Sequence, residues 1–348
     1  MKPKISVMIH TASFDNFLTN QGITSYFDAI TDCLNHQTFK QFELIYIDTF
    51  YEDNKSHFEE ISGKLPFQIK HVPVHQDHRY WYDLGYVYIS AAKNTGIIYA
   101  DGELVITFDD AEFFPEMLLA TYWKNFNSGR FMQSYHKRMT SIVTENNKPI
   151  SPIAGDVYVN DHRAKHVSVE NQLHPHNYGT WSYAGSSFAL EDALKLNGFN
   201  ERMDGCKSLE DCDFGTRLQL LGRNFTLDYN GFLYILDHQS YGSGMDIGWD
   251  VDIKKSETPK KIDNLIAIEN YGMCKCATDL LDLRANCNPL TQKHFDIIQR
   301  ETIKYRNFDP LAEENKEKLE IWLKTPMFDL DRDRKKVRAS KDWKWANE

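Results

Sequence analysis

The segment from residue 101 to residue 118 constrains the fold of this chain more than any other feature. It begins with an Asp-Gly-Glu turn, continues as the apolar run Leu104–Phe108, and then carries clustered carboxylates before a proline starts a helical pattern. Carboxylates at the end of a buried strand in an open α/β sheet mark the edge where ligands bind. Asp109, Asp110 and Glu112 offer the hard oxygen ligands that Mg²⁺ or Mn²⁺ prefers. A solvated acidic turn is the alternative for the same residues.

Short apolar strands alternate with helical patterns through the first part of the chain. Strands that alternate with helices predict an α/β fold with a mostly parallel, doubly wound sheet, whose ligands bind at the carboxyl ends of the strands. The second part is less regular, with β-like pieces, a strand running into a helix before Gly198, and a helix that ends before Gly222. The predicted strands of the first part are Ile5–Ile9, Phe42–Asp48, Phe67–Val74 and Leu104–Phe108, and the predicted helices are Ile23–Asn35 and Tyr86–Tyr99.

Composition and charge restrict the class of protein. The 348 residues are 41% hydrophobic and 26% charged, which is typical of a soluble globular protein of one large or two modest domains. The net charge of -10 argues against a surface that binds nucleic acid. The sequence has no apolar run long enough to span a bilayer and no signal-peptide pattern, so we expect a cytoplasmic protein. Peripheral contact with the inner face of a membrane stays open.

The composition changes near residue 254 to charged segments with helical patterns. We therefore expect two parts, an α/β domain over residues 1–253 and a helical C-terminal extension over residues 254–348. The basic end, Arg332–Lys344, is typical of a solvated or frayed tail, with contact to an acidic partner as the alternative. The extension would shape the binding of an acceptor or the contact of a homo-oligomer.

Several motifs follow one another in a fixed order. Ala91–Gly96 reads Ala-Ala-Lys-Asn-Thr-Gly and precedes the Asp-Gly-Glu turn, Ala184–Phe188 and Leu196–Glu201 come later, and Glu210–Leu218 contains Glu-Asp-x-Asp and Arg-Leu. This order resembles the family 2 glycosyltransferases of the GT-A fold, in which a helix signature precedes an Asp-Gly-Glu turn, a strand and an acidic metal motif. The resemblance covers about residues 4–240 and implies the GT-A fold.

The resemblance implies transfer of a sugar from a nucleoside-diphosphate sugar, with a UDP-sugar favoured, to a hydroxyl of a glycan, glycolipid or other glycoconjugate. In such a reaction Mn²⁺ or Mg²⁺ offsets the charge of the departing diphosphate and orients it. By resemblance, Asp109 contacts the ribose and Asp110 binds the metal, with Glu112 as the alternative ligand. His238 would supply a further metal or phosphate contact, and a structural imidazole is the alternative for it.

The resemblance also implies a donor-binding set. Asp48, at the end of the second strand, would bind the edge of the base, and Thr11 would line the same pocket. Lys93 would offset diphosphate charge, while Gly185 and Ser186 would let the backbone approach the sugar closely. A turn cap is the alternative for Asp48, and a solvated side chain is the alternative for Lys93.

An acceptor hydroxyl loses its proton as it attacks the anomeric carbon, and a positioned carboxylate removes that proton. The resemblance implies that Asp211 is this base in an inverting reaction, and that Glu210 contacts the donor sugar or the acceptor. Asp211 also fits a capping box with Ser208 at the start of a helix, and the two roles are compatible.

The chain departs from the family pattern at three of these positions. The acidic motif is Asp-Asp-Ala-Glu rather than Asp-x-Asp, Asp48 is followed by Thr-Phe, and Lys93 stands where arginine is common. A catalytically inactive scaffold that binds nucleotide sugars is the main alternative function. A nucleotidyltransferase is a weaker alternative, because the loop after the first strand has no glycine before Gly22.

Overall fold

The structure is a computed structural model that describes part of the chain. Asp110 and His238, two of the predicted metal ligands, lie outside the described residues, and only the backbone of Thr11 is described. The described residues are 2–11, 26–48, 51–75, 89–109, 112–146, 148–149, 153–160, 173–176, 185–199, 210–211, 214–215, 218, 221–223, 225–236 and 329–345.

The first part of the chain forms a parallel sheet with alternating helices. Strand β1 pairs in parallel with β2 and β4, and β2 pairs in parallel with β3, which confirms the predicted α/β fold. Helix α2 was not predicted from the sequence. Phe58 is the only apolar side chain of α2 that is described as buried. The elements are β1 (Ile5–Thr11), α1 (Tyr26–Asn35), β2 (Phe42–Asp48), α2 (Tyr51–Ser62), β3 (Gln68–Val72), α3 (Ile89–Tyr99) and β4 (Leu104–Asp109).

The second part extends the same sheet on the side of β4. Its elements are β5 (Glu112–Phe113), α4 (Leu118–Asn127), β6 (Phe131–Ile142), β7 (Thr144–Glu145), β8 (Lys148–Pro149), β9 (Gly155–Asn160), β10 (Leu173–His176), β11 (Ser186–Ala189), α5 (Leu190–Lys195), β12 (Phe225–Leu236) and α6 (Leu330–Arg338). The strand order is β10-β12-β6-β11-β4-β1-β2-β3, with β5 paired to β12 and β9 paired to β6. Strand β11 is antiparallel to both β4 and β6, so β6 runs in the direction of β4.

Apolar side chains cover both faces of the sheet. Along β1, Val7 and Ile9 belong to the core on the side of α1 and α4, whereas Met8 belongs to the core that includes α3. This alternation follows from the two-residue period of a strand. Helix α3 lies close to β1 at Gly96, where a Cβ atom would collide with the Met8 side chain. No helix in the described ranges is both long and apolar enough to cross a membrane.

The C-terminal segment packs on the core through Leu330, Val337 and Trp345, so the prediction of a frayed tail is wrong for it, while residues 339–342 are solvated as expected. Arg334 donates to the carbonyl oxygen of Ile98 at 2.5 Å, and Arg338 donates to that of Ala100 at 2.9 Å. These cations satisfy free carbonyl groups at the C-terminus of α3 and interact favourably with its dipole. Trp343 stacks on Tyr99 with ring centres 5.4 Å apart.

Candidate active site

The carboxyl ends of three parallel strands lie side by side. Thr11 of β1 pairs with Asp48 of β2, and His10 of β1 pairs with Asp109 of β4. Parallel strands end at one edge of a sheet, so the structure brings the predicted residues at positions 11, 48 and 109 to the same edge.

The two faces of the sheet divide these residues into two groups. Paired residues on neighbouring strands point to the same face, and successive residues point to opposite faces. His10 and Asp109 therefore share the face of Met8 and α3. Asp48 lies on the opposite face, which carries Tyr46 and α2.

Lys93 is buried in α3 and forms an ion pair with Glu210. The Nζ atom lies 3.0 Å from Glu210 Oε1, and about one tenth of each side chain is exposed. Burial alone would lower the pKa of Lys93, but the nearby carboxylates of Glu210, Asp109 and Asp211 raise it above its ordinary value. The alternative of a solvated lysine is therefore wrong, and the predicted residues at positions 93, 109, 210 and 211 form one cluster.

The surroundings of Asp109 disfavour its ionised form. Asp109 is the last residue of β4, at the carboxyl edge of the sheet. Desolvation raises the pKa of its carboxyl, Glu210 raises it further, and Lys93 partly offsets the two effects. Among the residues that the structure describes, the carboxylates of Asp109, Glu210 and Asp211 all interact electrostatically with the Lys93 ammonium group.

His10 belongs to the same cluster, and the sequence analysis does not single it out. Burial lowers the pKa of its imidazole to about 4, with a further contribution from Lys93 and opposing contributions from Asp48 and Glu210. The ring is therefore neutral at pH 7 and does not compensate the carboxylates. A signal for it was present, because His10 ends an apolar strand where β2 and β4 end in aspartate.

Asp48 is held by side chains of α2 and β3. Its Oδ2 atom accepts a hydrogen bond from Asn54 at 3.0 Å and lies 2.9 Å from His71 Nε2. The His71 ring stacks on Phe58, with ring centres 3.8 Å apart. The Asp48 side chain is fully enclosed, so contact with a nucleotide base requires neighbouring side chains to move.

Glu112 shapes the turn after β4. Its Oε2 atom accepts a hydrogen bond from the backbone N–H of Asp109 at 3.0 Å, and the residue is 1% exposed. One oxygen of Glu112 therefore fixes the turn that carries Asp109. The role of Glu112 as a metal ligand stays a prediction.

The backbone at Gly185 closely approaches neighbouring protein atoms. Its φ angle is +72°, and a Cβ atom there would lie 2.6 Å from Leu233 and from Ser134. The space beside Gly185 is thus filled by β6 and β12. The adjacent Ser186 hydroxyl is buried and, within the described part of the chain, has no hydrogen-bond partner. Contact of Gly185 or Ser186 with a sugar stays a prediction.

The motif Ala91–Gly96 fixes α3 so that Lys93 reaches the cluster. The Asn94 amide donates to the carbonyl oxygen of Phe199 at 2.8 Å and accepts from the N–H of Phe199 at 2.7 Å. Thr95 accepts a hydrogen bond from the backbone of His75 at 2.9 Å. The residues around Lys93 therefore anchor the helix to its neighbours.

Among the residues that the structure describes, no group of three His, Cys, Asp or Glu side chains is arranged to hold a metal ion. Asp110 and His238 are outside that set, so the described residues include only part of the predicted metal site. That part, Asp109 and Glu112, supplies carboxylate oxygens at the end of β4.

Comparison with known proteins identifies the fold. No protein-family model and no curated protein sequence matches the chain. The structure is similar to S. aureus TarS 1-349 in complex with UDP-GlcNAc, with a TM-score of 0.52 and 12% identity over 92% of this chain and 79% of that one. It is also similar to S. aureus TarS 1-349, with a TM-score of 0.51 and 13% identity over 92% of this chain and 79% of that one. TarS is a glycosyltransferase, and the chain has a GT-A-like fold.

Proposed function

We propose that this protein is a metal-dependent, inverting glycosyltransferase that moves a sugar from a UDP-sugar to a hydroxyl of a glycan or glycoconjugate. The observation that carries the proposal is the cluster of Lys93, Asp109, Glu210 and Asp211 at the carboxyl edge of a GT-A-like sheet. The edge of such a sheet is where ligands bind, and the cluster combines a cation with a surplus of carboxylates.

The donor would lie across the ends of β1, β2 and β4. Asp48 would accept from N–H groups of the base, because an ionised carboxylate has only acceptor sites. Asp109 would accept from the ribose, and Lys93 would offset diphosphate charge. The complex of TarS with UDP-GlcNAc supports a uridine nucleotide as the first donor to test.

The residues present fit a divalent cation. Among the described residues, Asp109, Glu210 and Asp211 all interact electrostatically with Lys93. Desolvation first, and Glu210 second, raise the pKa of Asp109, and a bound cation would stabilise its ionised form. Carboxylate oxygens suit Mn²⁺ and Mg²⁺. Asp110 would hold the ion, with Glu112 or His238 as further ligands. When bound, the ion stabilises the charge of the diphosphate leaving group.

Asp211 would act as the general base. It is 7% exposed and lies close enough to Lys93 to raise the pKa of that lysine, so it belongs to the same site as Asp109. A base in that place removes the proton of an acceptor hydroxyl that attacks the sugar from the side opposite the diphosphate, which inverts the anomeric centre.

The Asp211→Asn variant tests this assignment. We expect UDP release from UDP-GlcNAc in the presence of a panel of glycan acceptors to fall about 10²–10⁴-fold, because asparagine cannot accept the proton. Calorimetric binding of UDP should change little. Asp331→Asn, on the exposed surface of α6, is the matched control and should behave like the natural protein. Near-normal turnover of Asp211→Asn would rule out Asp211 as the base.

A further inference from the structure

A lysine lies among aromatic rings on strands β6 and β12. The Nζ atom of Lys137 is 3.8 Å from the centre of the Phe232 ring and 5.7 Å from that of Tyr234. All three residues are half-buried, so each retains a surface that a ligand can reach. The Phe232 and Tyr234 rings contact each other edge to face, with centres 5.1 Å apart.

Lys137 lies on the face of the sheet that carries Asp109 of the carboxylate cluster. Ser186 of β11 pairs with both Thr107 of β4 and Gln133 of β6, so all three point to one face. Asp109 is two residues beyond Thr107, and Lys137 is four residues beyond Gln133, so both keep that face. Strand spacing and rise place Lys137 about 10–15 Å from Asp109.

That separation corresponds to one or two sugar rings. The nucleotide side of the proposed site lies toward β1 and β2, whereas β6 and β12 lie on the other side of β4. A ligand that meets Lys137 therefore approaches the cluster from the side opposite the nucleotide. This is the side from which an acceptor hydroxyl would have to reach the anomeric carbon.

The chemistry of the group favours an anionic, ring-shaped ligand. Lys137 supplies the positive charge of the group, which an anionic ligand complements, and burial lowers the pKa of its ammonium. Aromatic rings offer large apolar faces for the C–H surface of a sugar. Pockets that combine aromatic faces with one placed charge are typical of small-molecule sites.

A second lysine over an aromatic ring provides the contrast. Lys4 lies 5.6 Å from the centre of the Trp123 ring, at the amino end of β1, and its ammonium pairs with Glu103 at 2.8 Å. That pair is exposed and lies at the edge opposite the cluster. The contact of a lysine with a ring is thus not by itself a ligand site, and Lys137 differs in its place on the sheet.

We propose that Lys137, Phe232 and Tyr234 form an acceptor subsite for an acidic saccharide, a sugar ring that carries a phosphate or carboxylate group. The ammonium of Lys137 binds the anionic group, and the rings of Phe232 and Tyr234 contact the sugar. The proposal rests on the proposed glycosyltransferase function, since it assigns this subsite to the acceptor of that reaction.

The test compares three probes by ligand-observed NMR, namely glucose, glucose 6-phosphate and glucuronate, with the full chain. We expect the two acidic sugars to bind at least fivefold more tightly than glucose, and the difference between them tells phosphate from carboxylate. Lys137→Met, which keeps the side-chain stem, should remove this preference. Phe232→Leu should weaken all three probes, and Lys4→Met should change nothing.

Two results would overturn the subsite. One is equal binding of glucose and the acidic sugars, or a preference that survives in Lys137→Met. The other is binding of inorganic phosphate as tight as that of glucose 6-phosphate, because the sugar would then contribute nothing. Binding of UDP with Mn²⁺, measured in the same variants, should be unchanged. If the natural protein does not bind UDP, the proposed function is contradicted, whereas the measured binding of the three sugars still stands.

Discussion

Two buried lysines, at opposite edges of the same sheet, are each surrounded by carboxylates and yet differ in charge balance. Lys70 lies 2.7 Å from Glu43 and 2.6 Å from Asp101, with all three side chains no more than 3% exposed. Arg338 lies 2.7 Å from Asp101, and Arg334 interacts electrostatically with both Asp101 and Glu43. Cations therefore compensate both carboxylates of this group.

At the other edge, Lys93 faces the carboxylates of Glu210, Asp109 and Asp211 with a neutral His10 beside them. Burial of charge is common to both clusters, so burial alone does not indicate a ligand site. A balanced group stabilises the native packing only modestly, but losing one member of it is costly. Among the described residues, carboxylates outnumber cations in the Lys93 cluster, and such a surplus at the carboxyl edge of the sheet favours a site for a cationic ligand.

The balanced cluster explains the Asp-Gly-Glu turn. The backbone N–H of Asp101 donates to Glu43 at 2.6 Å, and that of Gly102 donates to the Ser6 hydroxyl at 2.8 Å. Arg338 joins the C-terminal segment to the same group. The Asp-Gly part of the motif therefore holds the amino end of β1 against the amino end of β4, and it takes no part in the proposed chemistry.

The largest expected effect is on stability at the balanced cluster. Lys70→Met removes the cation that contacts both Glu43 and Asp101 directly, so the free energy of unfolding should fall by about 3–5 kcal/mol. Denaturant unfolding measures this. If Lys70→Met is as stable as the natural protein, the balanced network does not stabilise the fold as described.

The matched variant at the other edge should respond to metal. Lys93→Met removes the ammonium group that Asp109, Glu210 and Asp211 share, so it should also lose stability, but Mn²⁺ should restore much of the loss. Mn²⁺ should not restore Lys70→Met, whose cluster is closed to solvent. Equal behaviour of the two variants toward Mn²⁺ would contradict the difference between the clusters.

A smaller effect is expected when Mn²⁺ is added to the natural protein. A ligand that binds only the folded state at about 100 times its dissociation constant stabilises that state by about 2.7 kcal/mol. Thermal unfolding with and without Mn²⁺ measures the gain. The gain should shrink in Asp109→Asn, which loses one carboxylate of the site, and persist in Asp331→Asn. A gain of the same size in Asp109→Asn would place the ion elsewhere.

The smallest effect is the pH dependence of stability, and the two clusters should show opposite signs. Burial raises the pKa of Asp101, but Lys70 and Arg338 outweigh it, so the net shift is downward. Its stabilisation is therefore complete above the ordinary aspartate pKa of about 3.9 and disappears only as pH falls through the lowered folded value. The raised pKa of Asp109 instead costs stability above that pKa, and the cost disappears as pH falls toward about 3.9.

Asparagine variants separate the two signs. Asp109→Asn should be slightly more stable than the natural protein at pH 7, and its advantage should shrink as pH falls toward about 4. Asp101→Asn should be less stable, with a deficit that persists down to about pH 4. The measurement is the free energy of unfolding from pH 4 to pH 8. Parallel curves for the two variants would show that the carboxyls do not differ in environment.

Most strands of the first part and their edge were predictable because β1, β2 and β4 are local apolar runs that end in a polar residue. Phe42–Asp48 and Leu104–Asp109 show this directly, and both carry an aspartate to the edge of the sheet. Parallel pairing then follows from the alternation with helices. The helix at α2 was missed because its buried apolar surface is small and leaves no periodic signal.

Contacts across long sequence distances were not predictable in this way. The pair of Lys93 and Glu210 joins residues 117 positions apart, and a lysine in mid-helix looks solvated in the sequence. The basic segment at Arg332–Lys344 reads as a tail because its counterparts, Asp101 and the carbonyl groups at the end of α3, are far away in the chain. Trp343 and Trp345, both in contact with Tyr99, were the signal for packing.

The most direct test of the account is calorimetric titration of the natural protein with UDP, GDP, CDP and ADP, each with and without Mn²⁺. The account predicts that UDP binds tightly, that binding depends on Mn²⁺, and that Lys93→Met weakens it. Failure of all four nucleotides to bind, or binding of equal strength without the metal, would contradict the claim that the unbalanced cluster is a metal-dependent site for a nucleotide sugar.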